Sequence, residues 1–166
     1  SVPEGDEIVP LVNRLLAVPG WFKVATRDWH PADHISFAEQ GGTWPIHCVA
    51  DSPGAAFHPD LDRGRFDLTV SKAAKKDAEA YSGFDGTPLS AELKKKAVRR
   101  IFVCGLATDY CVRATALDGR KEGFEVVILE DAVRAVDVNR GDGERAIQEM
   151  RDAGCAFARS EDISGQ

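Results

Sequence analysis

The sequence predicts an α/β fold in which a mostly parallel, doubly wound sheet lies between two layers of helices. Five short runs are mostly apolar on both faces, as buried parallel strands are. Helical patterns separate the later runs, which is typical of parallel strands joined by crossovers. The length of 166 residues suits one domain with a single hydrophobic core, so we expect one domain over residues 1–166.

The elements follow in order along the chain. Apolar residues recur at helical spacing from Ile8 to Leu16, and Pro19-Gly20 end this first helix. The predicted strands are WFKVATRD (21–28), FDLTVSK (66–72), RIFVCGL (100–106), EVVILED (125–131) and CAFARS (155–160). The later helices are predicted over 89–98, 109–121 and 139–153, and Gly154 is a stop signal for the last.

Composition and charge exclude several classes of protein. The net charge of −6 and the pI near 5.2 argue against a nucleic-acid partner, because phosphate binding requires clustered Lys and Arg. The one basic run, KKKAVRR (94–100), is interpreted as a solvated helix face. No apolar run approaches the roughly 18–20 residues that cross a membrane, so we expect a soluble protein with no membrane partner.

The cysteines and the first residues of the chain indicate a compartment. The four cysteines form no CxxC pair and no spacing typical of a disulfide framework. The first residues, SVPEGDEIV, show no basic segment followed by an apolar one, so no signal peptide is predicted. We therefore expect a reducing, cytoplasmic location.

The segment from Asp28 to Leu61 breaks the alternation of strands and helices and is rich in Pro, Gly and His. Long loops in compact domains usually carry function. Asp28 and His30 lie on the same side of an extended chain, and two more histidines follow within twenty residues of Asp28. One carboxylate and three imidazoles suit one divalent ion such as Zn, Fe or Mn, although any single histidine here would also suit a structural role. The predicted ligands are Asp28, His30, His34 and His47; His58 is assigned a structural role.

A thiol stands at the junction of a predicted strand and helix in CGLATDYCV (104–112). If the helix begins near Thr108 or Asp109, Cys111 lies in its first turn. Free backbone N–H groups and the positive end of the helix dipole favour a thiolate there, and the same N–H groups suit an oxyanion. The alternative is a small buried residue that faces the sheet. Cys111 is therefore a candidate nucleophile.

Lys72 closes a predicted strand and lies at the same carboxyl edge of the sheet, where ligands bind in open α/β folds. Near Cys111, its charge would lower the pKa of the thiol. The alternative is a solvated surface charge, the usual state of an isolated lysine.

Several of these stretches together resemble the nicotinamidases (pyrazinamidases) of the isochorismatase-like cysteine hydrolases. The resemblance covers nearly the whole chain, and the combination of WPxHC with GxATDYCV is specific. The stretches that carry it are DWHPADHISF (28–37), TWPIHCV (43–49), SPGAAFHP (52–59), YSGF (81–84) and GLATDYCVRATALD (105–118).

The resemblance implies an amidase that converts nicotinamide and water to nicotinate and ammonia in NAD salvage, with pyrazinamide as a further substrate. It matches Cys111 to the nucleophile and Lys72 to the lysine of the triad. It matches the four predicted ligands to a metal site that holds the pyridine nitrogen of the substrate, and Trp44 to an aromatic wall. It also implies a cis Leu106-Ala107 peptide bond, with the N–H groups of Ala107 and Cys111 as the oxyanion hole.

The sequence departs from the family in two places. Family members usually have glycine after the triad lysine, whereas this chain has Ala73. They also begin with a strand whose aspartate completes the Asp-Lys-Cys triad, and no residue from Ser1 onward can be assigned to that aspartate. We therefore expect the sheet to be without this first strand, which would be central, and to have open apolar edges on both sides.

Two alternatives remain at this point. One is another amidase of the same superfamily, with a ureido, carbamoyl or maleamic amide as substrate, although those relatives generally lack the histidine-rich set. The other is a non-catalytic relative that binds a metal or a ligand. The sequence does not determine which metal is bound. It also leaves open whether the protein assembles as a homo-oligomer.

Overall fold

The computed structural model describes residues 1–163. In that range, a 3₁₀ turn (Gly5–Ile8) leads into the first α-helix. The α-helices are α1 (Val9–Leu16), α2 (Leu89–Lys95), α3 (Arg113–Lys121) and α4 (Asp142–Asp152). The strands are β1 (Val24–Asp28), β2 (Leu68–Lys72), β3 (Arg100–Leu106), β4 (Glu125–Arg134) and β5 (Ala156–Ala158). None of the helices in the described range is long and apolar enough to span a membrane.

The predicted order of strands and helices is confirmed, but some boundaries differ. α4 begins at Asp142, three residues later than predicted, because Gly141 has a left-handed backbone (φ 87°) that a helix cannot include. At this start, the Asp142 carboxylate accepts a hydrogen bond from the backbone N–H of Asn139 (2.8 Å). β4 runs three residues further than predicted and ends at Arg134.

The strands form two parallel sheets, where one sheet was predicted. β1 pairs with β2, and β3, β4 and β5 pair in that order. The facing edges of β1 and β3 border an open slot with a volume of about 1360 Å³, which extends to Cys111. Trp21 and Phe102 stack across the slot, with ring centroids 4.8 Å apart. The slot separates β1 from β3, so each of the two sheets has an open edge there.

The hydrophobic core positions the helix that follows Cys111. Val112 and Ala116 are buried, and they belong to one apolar cluster with Ile128 of β4 and Met150 of α4. Because this face of α3 is fixed by packing, the turn that precedes α3 has a fixed place at the carboxyl edge of β3.

Candidate active site

Parallel pairing of β1 and β2 brings two charged side chains together. The register places Asp28 directly beside Lys72, the last residue of each strand. The Nζ of Lys72 donates a hydrogen bond to Oδ1 of Asp28, and it lies 3.2 Å from Sγ of Cys111. The Lys72 side chain is only 3% exposed. Lys72 therefore contacts both Asp28, which is in the same sheet, and Cys111, which follows β3 of the other sheet.

The charges of Lys72 and Cys111 depend on each other. Burial by itself would lower the pKa of Lys72, but the neighbouring Cys111 and Asp28 outweigh it and raise that pKa, so the ammonium form is favoured. Burial raises the pKa of the Cys111 thiol, and the opposing effect of Lys72 is smaller. Lys72 thus lowers the pKa of the thiol, as expected, but burial has the larger effect and the net pKa is raised.

The backbone around Cys111 has an unusual conformation. Residues Thr108–Val112 form a π-helical turn in which the Ala107 carbonyl accepts hydrogen bonds from the N–H groups of Tyr110 and Val112 (3.1 and 3.0 Å). The Leu106-Ala107 peptide bond is cis, as the resemblance implies. Cys111 therefore lies in the first helical turn after β3, as predicted.

The side chain of Leu106 is 41% exposed. It lies beside Gly5, where an added Cβ would come within 3.1 Å of Leu106 Cδ1. Its assignment to substrate binding stays a prediction.

Three of the four predicted metal ligands lie together. One potential ligand atom from each of Asp28, His30 and His47 falls within 4.8 Å of the others. A carbonyl oxygen only accepts, so Nδ1–H of His30 donates to Ala73 (3.1 Å) and Nδ1–H of His47 donates to Pro45 (2.7 Å). Each ring then presents an unprotonated Nε2, the form that binds a metal ion. Burial lowers the pKa of His30, which also favours the neutral ring.

The fourth predicted ligand, His34, does not belong to this group. Its Nε2–H donates to the Ala78 carbonyl (3.0 Å), so its Nδ1 accepts from the hydroxyl and backbone N–H of Ser36 (2.7 and 3.3 Å). Both nitrogens are thereby engaged, and the ring is 0% exposed. His34 stacks on His30, with centroids 4.3 Å apart. We therefore correct its role from ligand to support for His30, because its lone pair is already occupied.

Aromatic side chains border the same edge of the sheet. Nε1–H of Trp44 donates to the Tyr81 hydroxyl (2.8 Å), and Trp44 packs edge-to-face on Tyr110 (4.9 Å). Trp44 is thus near the site, as predicted. Sequence reasoning did not single out either tyrosine, although Tyr81 lies in the YSGF stretch and Tyr110 directly precedes Cys111. His58 is exposed and accepts a hydrogen bond from the N–H of Asp60, which agrees with a structural role.

The fold and the arrangement of thiol and lysine have the architecture of a cysteine hydrolase. The Isochorismatase domain model matches residues 1–162, and the chain belongs to this family. The chain is 35% identical to the nicotinamidase of Escherichia coli K12, over 95% of this chain and 85% of that protein.

Two solved structures are similar over nearly the whole chain. The pyrazinamidase of Pyrococcus horikoshii in complex with zinc is 51% identical, with a TM-score of 0.88, over 95% of this chain and 88% of that one. PnC1 from L. infantum in complex with nicotinate is 37% identical, with a TM-score of 0.94, over 99% of this chain and 85% of that one.

Proposed function

We propose that this protein is a nicotinamidase, which hydrolyses nicotinamide to nicotinate and ammonia and also accepts pyrazinamide. The observation that carries the proposal is the position of Lys72, whose Nζ contacts both Cys111 and Asp28. This contact supports a nucleophilic role for Cys111 next to the proposed metal ligands. The likeness to a nicotinamidase, a zinc-bound pyrazinamidase and a nicotinate complex supports the same substrate class.

The thiolate of Cys111 attacks the carbonyl carbon of the amide and forms a tetrahedral intermediate. Lys72 stabilises the thiolate, since its ammonium group lies 3.2 Å from the sulfur. The backbone N–H groups of Ala107 and Cys111 are the proposed donors to the oxyanion. Collapse of the intermediate releases ammonia and leaves a thioester. Water then hydrolyses this thioester, which gives nicotinate and returns the thiol.

Proton transfer requires a carboxylate near the thiol. No residue of this sequence matches the triad aspartate of the family, but Oδ1 of Asp28 accepts the hydrogen bond from Lys72. A proton from Cys111 can therefore pass through Lys72 Nζ to Asp28 and return to the leaving amine. The other oxygen of Asp28, Oδ2, lies 3.8 Å from Nε2 of His30. The two oxygens of this carboxylate thus face two different groups.

The residues that would hold a divalent ion are Asp28, His30 and His47, through Oδ2 and the two free Nε2 atoms. A mixed carboxylate and imidazole set suits Zn, Fe or Mn. When bound, the ion supplies a ligand position for the pyridine nitrogen, which orients the substrate. Trp44 and Tyr110 offer aromatic faces for the ring.

We further propose a single domain and a cytoplasmic location. The location is in keeping with four free cysteines.

The test is ammonia release from nicotinamide by purified, metal-loaded protein, with benzamide as the matched substrate that lacks the ring nitrogen. We expect turnover of nicotinamide, much slower turnover of benzamide, and loss of activity on chelation, because a site built around a polar contact rejects the analogue that lacks it. A Cys111→Ala variant should fold normally and be inactive. Equal rates with nicotinamide and benzamide would show that the metal does not contribute to substrate recognition. Release of ammonia only from a carbamoyl or ureido amide would identify a different amidase.

A further inference from the structure

A carboxylate beyond the predicted ligands lies next to His30. Glu79 belongs to a second group of potential ligand atoms within 4.8 Å of one another, formed with His30 and His34. Neither the sequence motifs nor the mechanism above uses this residue. His30 belongs to both groups, and Glu79 is not a member of the group that contains Asp28 and His47.

The segment that carries Glu79 is held against the histidine loop by three contacts. The Ile35 N–H donates to the Lys76 carbonyl (2.9 Å), and Lys76 pairs with Asp33 (2.8 Å). His34 donates from Nε2–H to the carbonyl of Ala78, the residue before Glu79 (3.0 Å). The position of Glu79 relative to His30 is therefore fixed, and His34 is one of the residues that fix it.

The Glu79 carboxylate lacks a cation partner in residues 1–163. Its Oε1 accepts only the neighbouring N–H of Ala80 (3.0 Å), and within the described residues no Lys, Arg or His nitrogen lies within 4.0 Å of it. The residue is half-buried. Burial is the main cause that raises the pKa of both Cys111 and Tyr81, and the negative charge of Glu79 adds a smaller effect in the same direction. A partly buried carboxylate without a cation partner, close to one of the predicted metal ligands, is suited to a nearby positive ion.

The distance between Glu79 and the proposed ligands determines whether Glu79 can bind the ion directly or only through a water. Metal bonds from oxygen or nitrogen are about 2.0–2.2 Å long, so two ligand atoms on one ion lie at most about 4.4 Å apart. Glu79 does not join Asp28 and His47 in one group within 4.8 Å. Direct ligation is thus excluded without movement, whereas a hydrogen bond to a metal-bound water spans a longer distance.

We propose that Glu79 is a positioning residue for the metal: its carboxylate accepts a hydrogen bond from a water on the ion held by Asp28, His30 and His47. This inference rests on the proposed function. Outer partners of this kind typically contribute 10–100-fold to metal affinity. The carboxylate also adds negative charge to the site without occupying a ligand position, so a position stays free for substrate.

The experiment measures the dissociation constant of Co²⁺ by competition with a chromophoric chelator, together with the visible spectrum of bound Co²⁺. Glu79→Gln removes the charge and should weaken binding about 10–100-fold while the absorption per bound ion stays unchanged. Glu79→Asp keeps the charge and should recover most of the affinity. Glu39→Gln, which removes a charge from an exposed residue of the histidine loop, should bind Co²⁺ like the original protein. Thermal unfolding verifies that each variant is folded.

Wild-type affinity in folded Glu79→Gln overturns the proposal, and so does a changed Co²⁺ absorption intensity, which would indicate loss of a direct ligand. His47→Ala separates this failure from failure of the proposed function. If His47→Ala loses Co²⁺ binding and Glu79→Gln does not, only the role of Glu79 is wrong. If His47→Ala binds Co²⁺ like the original protein, the ligand group is wrong and the proposal for Glu79 falls with it.

Discussion

The two sheets hold their functional groups by different means. Six large side chains of the described residues are almost fully buried, and they divide evenly between the two halves of the molecule. In the half built on β3, β4 and β5 they are Ile128, Leu129 and Met150, all aliphatic. In the half built on β1, β2 and their loops they are Phe37, His30 and His34, two of which are imidazoles held by hydrogen bonds.

This difference has a physical consequence. Apolar packing is not directional, so it holds the helix behind Cys111 without fixing any one polar atom. Hydrogen bonds are directional, and those of His30 and His47 select which ring nitrogen stays free. Substitutions in the first half should therefore act mainly on global stability, and substitutions in the second half mainly on the geometry of the site.

The largest expected effect on stability is in the aliphatic half. Met150→Ala should lower the free energy of unfolding by about 2–5 kcal/mol, because it leaves a cavity at a fully buried position. The affinity of the folded variant for a metal ion should be unchanged. Val138→Ala is the control, since Val138 is 59% exposed and should change stability by no more than about 0.5 kcal/mol. Chemical denaturation measures both, and a Met150→Ala variant with original stability would contradict the comparison.

The histidines of the second half should separate into two classes. His47→Ala removes a ligand atom and should cost metal affinity more than the roughly 10–100-fold typical of an outer partner. His34→Ala should cost about 1–3 kcal/mol of stability, because it leaves the hydroxyl of buried Ser36 and the carbonyl of Ala78 without their partner. Its loss of metal affinity should not exceed that of Glu79→Gln. Titration with Co²⁺ and thermal unfolding measure the two quantities; equal affinity losses in both histidine variants would restore His34 to the ligand set.

Lys72 joins the two halves, and its removal should appear in the reactivity of Cys111. Lys72 lowers the pKa of the thiol against the effect of burial, so Lys72→Gln should raise that pKa. The pH midpoint of inactivation by iodoacetamide should therefore move upward. Lys94→Gln is a suitable control, because Lys94 is exposed and pairs with Glu122. A midpoint that stays in place would show that Lys72 does not stabilise the thiolate.

The smallest expected effect concerns Asp109. Its two carboxylate oxygens accept hydrogen bonds from the backbone N–H groups of Val136 and Asp137 (both 2.9 Å), which tie the turn of Cys111 to the segment after β4. Asp109→Asn replaces one acceptor with a donor and should lower stability by about 1 kcal/mol. The iodoacetamide midpoint of Cys111 should not move, since Asp109 does not contact the thiol. A shifted midpoint would instead make Asp109 part of the proton pathway.

Much of the fold and part of the site follow from local pattern. The alternation of apolar runs with helical patterns determined the order of β1 to β5 and α1 to α4, because burial on both faces of a strand and on one face of a helix leaves distinct periods in a sequence. The same alternation predicted a helix directly after β3, which put Cys111 in the first turn of that helix. The spacing of Asp28 and His30 identified two of the three grouped ligands, since residues two apart on an extended chain share a face.

Only the tertiary structure determined which partner each polar group contacts. His34 bonds Ala78, Lys72 bonds Asp28, and Glu79 approaches His30, in each case across more than forty residues of chain. The division into two sheets is equally invisible in local periodicity, because β1 and β3 have the apolar patterns of paired strands whether or not their facing edges are paired. Hydrophobic spacing thus determined which residues are buried, whereas the exclusion of His34 from the ligands and the bridging place of Lys72 depended on hydrogen-bond partners that spacing does not encode.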